Sequence, residues 1–184
     1  FPPDVSLVEV VNFFLAVVTD DGVGRVSHQV EHYSNLSDGM QTLRAALLDR
    51  PAPVARLNGF AAHVHDAGAG AVGIPGCCRY DGGNPDRDEA GLLRYYVLDA
   101  ASVWAALSLD VKAGERVLDL CAAPGGKALI LIESLRAAGE LVANDRSPTR
   151  AQRLRRVLDD YLPPAVRARV TVTQRDGRRW GVSR

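Results

Sequence analysis

The sequence predicts an α/β fold with a parallel sheet in its C-terminal half, and three observations lead to this prediction. Residues 115–174 alternate between strand-like and helix-like composition, in the order strand, helix, strand, helix, strand, which is typical of parallel α/β sheets. A turn of small residues, 121–126, follows the first strand. The second strand ends in an acidic residue, Asp145, at the sheet edge where such folds bind ligands.

The first elements of this half follow from local signals. Residues 95–98 have the composition of a short extended segment, and Asp99 is a suitable N-cap for a helix after it. The run ERVLDL (115–120) alternates as a strand does. KALILIESLRAA (127–138) has helical composition and stops before Gly139, a residue that commonly ends helices.

The remaining elements complete the alternation. LVAND (141–145) is a second strand, and Ser147 with Pro148 predicts the start of the next helix, as N-cap and first residue. Apolar residues spaced by three or four give this helix one buried face: Ala151, Leu154, Leu158 and Tyr161. The double proline at 163–164 ends it, and RVTVTQ (169–174) alternates as a third strand would.

The N-terminal half gives weaker signals. Residues 1–30 predict no assignable domain or function. Residues 31–94 predict a mostly helical extension followed by a linker, and residues 95–184 the first part of the α/β domain. A helix in the extension, capped by Ser37 or Asp38, would carry four apolar side chains: Met40, Leu43, Leu47 and Leu48. Residues 63–92 are dense in Gly, Pro and Asp, which indicates a long loop or linker.

Composition limits the classes of protein. Apolar residues make up 47% of the 184 residues, and the formal net charge is zero. Residues 141–184 nevertheless contain eleven Arg and four Asp. This basic excess indicates either a surface that faces an anion such as nucleic acid or a solvated Arg-rich helix face. The apolar run at residues 5–18 is too short to span a membrane, so no membrane partner is expected.

The three cysteines favour a reducing compartment. Cys77, Cys78 and Cys121 are odd in number, and two of them are adjacent, which is unlike a disulfide framework. The adjacent pair also lacks the C-x₂-C spacing of zinc sites, although His63 and His65 precede it. The sequence therefore predicts no metal site.

The turn after the first strand predicts a cofactor that contains adenosine. Gly125 and Gly126 would let a ligand approach the backbone. Asp145 follows them by about 20 residues, where an acidic side chain typically binds ribose hydroxyls. Neither a Walker loop nor a GxGxxG loop is present. The pattern therefore suits S-adenosyl-L-methionine, while a turn without ligand and a dehydrogenase-type nucleotide enzyme remain as alternatives.

The motif CAAPGGK (121–127) resembles the cofactor motif of the NSUN (NOL/NOP/Sun) RNA cytosine-C5 methyltransferases. YYVLDAAS (95–102) resembles the segment that leads into their catalytic domain. ANDRSPTRAQRLRRVL (143–158) and RDGRRWG (175–181) are most similar to the branch that methylates mitochondrial ribosomal RNA, and residues 32–62 are similar, more weakly, to its N-terminal extension. The resemblance implies a Rossmann-like class I methyltransferase fold, here truncated after the third strand.

The resemblance also implies a cofactor site for S-adenosyl-L-methionine. Asp145 would hold the ribose hydroxyls, Arg150 would lie nearby, and Asp176 would accept a hydrogen bond from the adenine amino group. Gly125, Gly126, Lys127 and Ala128 would line the methionine and ribose end of the cofactor. The complete expected set is Cys121, Ala122, Ala123, Pro124, Gly125, Gly126, Lys127, Ala128, Asp145, Arg150, Asp176 and Gly177.

The resemblance further implies that the reaction chemistry lies outside this chain. Family members use a cysteine beyond the third strand as the nucleophile, and this chain has no cysteine after Cys121. We therefore expect the nucleophilic cysteine beyond Arg184 and an N-terminal fragment that is itself inactive. The expected partners are RNA, in particular ribosomal RNA, and a protein that delivers it, in mitochondria or alternatively the cytoplasm or nucleus. The alternative is a non-catalytic RNA- or protein-binding scaffold.

A strand that the fold would place beside residues 115–120 is also absent from the chain. We therefore expect strand 115–120 to present an open apolar edge, which favours aggregation.

Overall fold

A computed structural model describes residues 15–19, 22–26, 52–62 and 72–180, with the side chains described from residue 52 onward. Within these residues the structure has eight strands: β1 (Leu15–Thr19), β2 (Gly22–Val26), β3 (Val54–Leu57), β4 (Cys77–Arg79), β5 (Tyr95–Leu98), β6 (Arg116–Asp119), β7 (Glu140–Asn144) and β8 (Val170–Thr173). The helices are α1 (Ala100–Leu107), α2 (Gly126–Ser134), α3 (Pro148–Tyr161) and α4 (Pro164–Arg167), and a 3₁₀ turn follows at Gly177–Arg179.

The main sheet has the strand order β2-β1-β6-β7-β8. Strands β6, β7 and β8 are parallel, with Arg116 opposite Glu140 and Leu141 opposite Val170. Helix α2 connects the first two of these strands, and α3 with α4 connects the next two. This architecture confirms the predicted Rossmann-like α/β fold.

The edge of β6 is covered, so the expectation of an open edge is wrong. Strand β1 pairs with it in the antiparallel sense, with Leu15 opposite Asp119 and Val18 opposite Arg116, and β2 pairs with β1. The sequence carried a hairpin signal, an Asp-Gly step at 21–22 between two apolar segments. Residues 1–30, for which the sequence predicted no assignable domain, therefore contribute both strands of this edge.

A second, antiparallel sheet has the order β4-β3-β5. It corrects the prediction of a continuous loop over 63–92, because Cys77–Arg79 pairs with β3. The described part of the extension therefore consists of strands rather than helices. The predicted helix with Met40 and Leu43 lies outside the described residues. A three-residue strand flanked by glycine and proline carries too little periodic pattern to be recognised from composition.

The second sheet packs on the helices of the main domain. Helix α2 contacts α1, β7 and β5, so it is enclosed on several sides. This explains why Ile130, Leu131 and Ile132 are all buried although they are consecutive. Arg56 of β3 forms an ion pair with Glu133 of α2. Asn58 donates to the carbonyl oxygen of Tyr161 in α3, at 2.9 Å.

The helix termini test the N-cap residues and helix ends that the sequence predicted. Asp99 accepts a hydrogen bond from the backbone N–H of Ser102 at 2.7 Å and caps α1 as predicted. Ser147 likewise caps α3, with Pro148 as the first residue. Helix α2 ends at Ser134, before the predicted end at residue 138. Among the described helices, none is long and apolar enough to cross a membrane.

We expect Leu154→Ala to destabilise the protein by about 2–5 kcal/mol, because it leaves a cavity under α3. Leu154 is fully buried on the face of α3 that the spacing predicted. Urea unfolding followed by circular dichroism measures the change. Gln152→Ala on the exposed face of the same helix is the control and should change the free energy of unfolding by less than about 0.5 kcal/mol. Equal effects of the two variants would contradict the assignment of the buried face.

Candidate functional site

The carboxyl ends of β6, β7 and β8 meet at one edge of the main sheet, because the three strands are parallel. The loops that follow them surround a cavity of about 470 Å³. The cavity is lined by residues from these loops, from the end of β7 and from α3: Leu120, Cys121, Asn144, Asp145, Arg146, Arg150, Arg175, Asp176, Gly177 and Arg178. Its position is the one at which open α/β sheets bind ligands.

Asp145 supplies a buried carboxylate to this cavity. The residue is 6% exposed and directly follows β7. Its Oδ1 accepts a hydrogen bond from the backbone N–H of Ser147 at 3.0 Å, and its Oδ2 lies 3.1 Å from Nε of Arg150. A carboxylate has about four lone-pair positions, so Asp145 can accept further hydrogen bonds from a ligand.

Arg150 connects two walls of the cavity. It lies in the first turn of α3, where Ser147 caps the helix. Its Nη2 donates to the carbonyl oxygen of Ala123 at 2.9 Å, while its Nε pairs with Asp145. Arg150 thus links the turn after β6 to the carboxylate after β7.

Asp176 supplies a second carboxylate, in the loop after β8. Hydrogen bonds from the Arg178 side chain, with Nη2 at 2.7 Å from Oδ2, hold the pKa of Asp176 well below its usual range. Arg146 contributes a longer ion pair at 3.9 Å. The carboxylate is therefore ionised at neutral pH and can act only as a hydrogen-bond acceptor.

The side chain of Asp119 forms a hydrogen bond with the backbone of the turn after β6. This residue is 1% exposed, and its Oδ1 accepts the backbone N–H of Cys121 at 3.1 Å. Burial raises its pKa to about 6, an effect that the positive charge of Lys127 opposes. Partial desolvation, followed by the charges of Asp119 and Asp145, also raises the pKa of the Cys121 thiol. An activated nucleophilic thiol has a lowered pKa, so the Cys121 thiol is not activated in this way.

The two glycines of the turn pack closely against other elements of the protein. At Gly125, where φ is 127°, a Cβ atom would lie 2.8 Å from Cγ1 of Val157 in α3. At Gly126 it would lie 3.0 Å from the ring of Tyr96 in β5. The sequence suggested a different role for these glycines, which was to let a ligand approach the backbone. In the described structure, side chains of α3 and β5 approach the backbone there instead.

The structure brings together five of the twelve predicted site residues on the cavity wall: Cys121, Asp145, Arg150, Asp176 and Gly177. The other seven do not line this cavity in the part of the chain that the structure describes. Most of them are enclosed by protein: Ala122, Ala123, Gly125, Lys127 and Ala128 are buried, and Gly126 is half-buried. Pro124 is exposed. These seven residues remain predicted site residues.

Five lining residues were missed by the sequence prediction: Leu120, Asn144, Arg146, Arg175 and Arg178. Each is adjacent to a predicted site residue or within two positions of one. Loops that follow parallel strands converge at one edge of the sheet. Every residue of these loops, and not only the motif residues, is therefore a candidate for the cavity wall. Within the described residues no group of three or more His, Cys, Asp or Glu side chains could hold a metal ion. His63 and His65 lie outside these residues.

The residues that line the cavity all lie in the part of the chain that is similar to known proteins. Residues 106–181 match the family described as 16S rRNA methyltransferase RsmB/F. The "5-cytosine rRNA methyltransferase NSUN4" of Xenopus tropicalis is 52% identical over 96 residues, which are 51% of this chain and 23% of that protein. The "tRNA (cytosine(34)-C(5))-methyltransferase, mitochondrial" of Danio rerio is 44% identical over 90 residues, or 49% of this chain and 24% of that protein.

A solved structure has a similar fold. The crystal structure of PH0851 superimposes with a TM-score of 0.59 and 26% sequence identity, covering 79% of this chain and 35% of that chain. The matched part of this chain spans only about a quarter of the length of the two curated methyltransferases named above.

We expect Gly125→Ala to destabilise the protein by about 1–3 kcal/mol through backbone strain, with a further loss from the contact with Val157. Gly82→Ala is the matched control, because φ there is 100° and nothing lies within 4 Å of a Cβ atom. Chemical denaturation measures both. Adding Val157→Ala should restore part of the stability lost in Gly125→Ala. If Gly125→Ala lowers the free energy of unfolding no more than Gly82→Ala does, close packing at the turn does not contribute to the destabilisation.

We expect the Asp119 carboxyl to make stability depend on pH. Its pKa is raised from 3.8 to about 6 in the folded state, so its contribution is fully present below pH 3.8 and is lost as the pH rises to about 6. The amide in Asp119→Asn does not titrate and still accepts the Cys121 N–H.

Unfolding free energies between pH 3.5 and 7 test this dependence. Over this range the wild type should lose on the order of 3 kcal/mol relative to Asp119→Asn. Asp159→Asn, at an exposed position of α3, should show no such relative loss. Parallel pH curves for the wild type and Asp119→Asn would contradict the buried-carboxyl assignment.

Proposed function

We propose, because residues 106–181 match the family described as 16S rRNA methyltransferase RsmB/F, that the complete protein transfers a methyl group from S-adenosyl-L-methionine to C5 of cytosine in RNA. The observation that supports this most is the cavity at the ends of β6, β7 and β8. It has a buried carboxylate, Asp145, beside the CAAPGGK turn.

The cavity residues fit the proposed cofactor. A volume of about 470 Å³ lies within the ~300–1,000 Å³ range of small-molecule sites. Asp145 has lone pairs left for the two ribose hydroxyls, and Asp176, ionised and half-buried, can accept from the adenine amino group. Arg150 would hold the Asp145 carboxylate in position. When bound, the cofactor supplies an electrophilic methyl group.

The nucleophile of the reaction is proposed to come from the rest of the protein. In the family, a thiolate adds to C6 of cytosine and makes C5 nucleophilic toward the methyl group that the bound cofactor would supply, with S-adenosylhomocysteine as the leaving group. A base then takes the C5 proton, and the thiolate is expelled from C6. Cys121 has a raised pKa, and Cys77 and Cys78 belong to β4 in the second sheet. No described cysteine therefore has both the position and the activation that this step requires.

RNA as the substrate is supported by the charge of this surface. Arg153 and Arg156 are exposed on α3, the helix that starts beside the cavity. Arg146 and Arg178 are exposed at the cavity itself. Guanidinium groups arranged in this way suit the phosphates of a nucleic acid.

We further propose that the RNA is mitochondrial ribosomal RNA and that a partner protein delivers it. The names of the NSUN4 and mitochondrial relatives support this location and substrate. The alternative is a protein that keeps the cavity without catalysis and serves as an RNA- or protein-binding scaffold. Methyl transfer by the complete protein from tritiated S-adenosyl-L-methionine to RNA, with the position read by bisulfite sequencing, distinguishes the two.

We expect Asp145→Ala to weaken binding of S-adenosylhomocysteine by about tenfold or more, because hydrogen bonds to a buried charged acceptor are lost. Isothermal titration calorimetry on the folded chain measures the affinity. Asp159→Ala is the control, because that carboxylate is exposed on α3 and pairs with Arg167 instead; its affinity should equal that of the wild type. Wild-type affinity in Asp145→Ala would exclude Asp145 as a ribose ligand.

A further inference from the structure

The side chain of Asn144 is the most completely hydrogen-bonded group at the cavity. Its Nδ2 donates to the carbonyl oxygens of Leu120 and Arg175, both at 3.0 Å. Its Oδ1 accepts from Oγ1 of Thr173 and from the backbone N–H of Arg175, both at 2.8 Å. An amide has two N–H donors and an oxygen with two lone pairs, so every hydrogen-bonding position of the side chain is used.

These four bonds join the ends of three strands. Leu120 follows β6, Asn144 is the last residue of β7, and Thr173 ends β8. The backbone adds two more connections at the same level. The carbonyl oxygen of Asn144 accepts from the N–H of Ala122 at 2.8 Å, and the N–H of Asp145 donates to Thr173 at 3.1 Å.

The same three strand ends carry the candidate cofactor residues. Cys121 lies one position after Leu120, Asp145 follows Asn144 directly, and Asp176 follows Arg175 directly. Asn144 is 1% exposed, so water does not compete for its bonds. Displacing its amide would therefore move the loops that bear all three of these residues.

We infer that Asn144 is a positioning residue, which fixes the three loops of the cofactor site relative to one another. The inference rests on the function proposed above, and it adds a residue that acts through Cys121, Asp145 and Asp176. The chemistry specifies an amide of this length. A carboxylate would place oxygen against the carbonyl oxygens of Leu120 and Arg175, and an added methylene would overfill a fully buried position.

The experiment compares cofactor affinity with stability in the full chain. We expect Asn144→Ala to weaken binding of S-adenosylhomocysteine by about tenfold, at a temperature where circular dichroism shows the variant folded. Thr173→Val removes one donor and keeps the side-chain shape, so a loss of about two- to threefold is expected. Leu158→Ala, a buried variant of α3 that does not line the cavity, is the control for destabilisation alone.

A merely structural role would make Asn144→Ala behave as Leu158→Ala does, with a lowered melting temperature and wild-type affinity for S-adenosylhomocysteine. That result would overturn the inference while leaving the proposed cofactor site intact. If Asn144→Ala does not fold, Thr173→Val decides, and an unchanged affinity overturns the inference. If the wild type binds neither S-adenosylhomocysteine nor S-adenosyl-L-methionine, the proposed cofactor site fails and the role of Asn144 fails with it.

Discussion

The close approach of α3 and β5 to the first turn of α2 is the contact on which the rest of the structure depends. Gly125 and Gly126 permit it because they have no side chains: Cβ atoms there would lie 2.8 Å from Cγ1 of Val157 and 3.0 Å from the ring of Tyr96. The same contact brings the second sheet against the main domain, since Tyr96 belongs to β5. One pair of glycines therefore determines both how the turn after β6 is supported and where the N-terminal sheet packs.

Charge at the cavity is arranged in pairs. Asp145 faces Arg150, and Asp176 faces Arg178. Each carboxylate is oriented by a guanidinium group that belongs to the same or the following element, so neither requires a ligand to hold its position. Pre-arranged acceptors of this kind bind a ligand without a large cost of reorganisation. Asp119, buried beneath the turn, differs because its burial opposes ionisation.

The parts of the structure that could be predicted from the sequence are those controlled by local signals. The cap residues Asp99 and Ser147 and the apolar face of α3 depend on neighbours within one or two turns, and these predictions are confirmed. The family motif and the strand end identified Asp145 as part of the cavity wall. The unpredicted parts depend on distant partners. Asn144 bonds Leu120 and Arg175, which are 24 and 31 residues away, and β4 is defined by pairing with β3 rather than by its own pattern.

The antiparallel strand at the edge of the main sheet affects the order in which the sheet can assemble. Leu15 of β1 pairs with Asp119, whereas the parallel pairs, such as Arg116 with Glu140, join residues much closer along the chain. Closing the longer loop costs more chain entropy and slows the contact that it permits. The three parallel strands can therefore associate before β1 is added. All ten residues of the cavity wall come from the carboxyl end of β7, from the loops after these parallel strands or from α3, so assembly of the cavity and capping of the sheet edge are separable events.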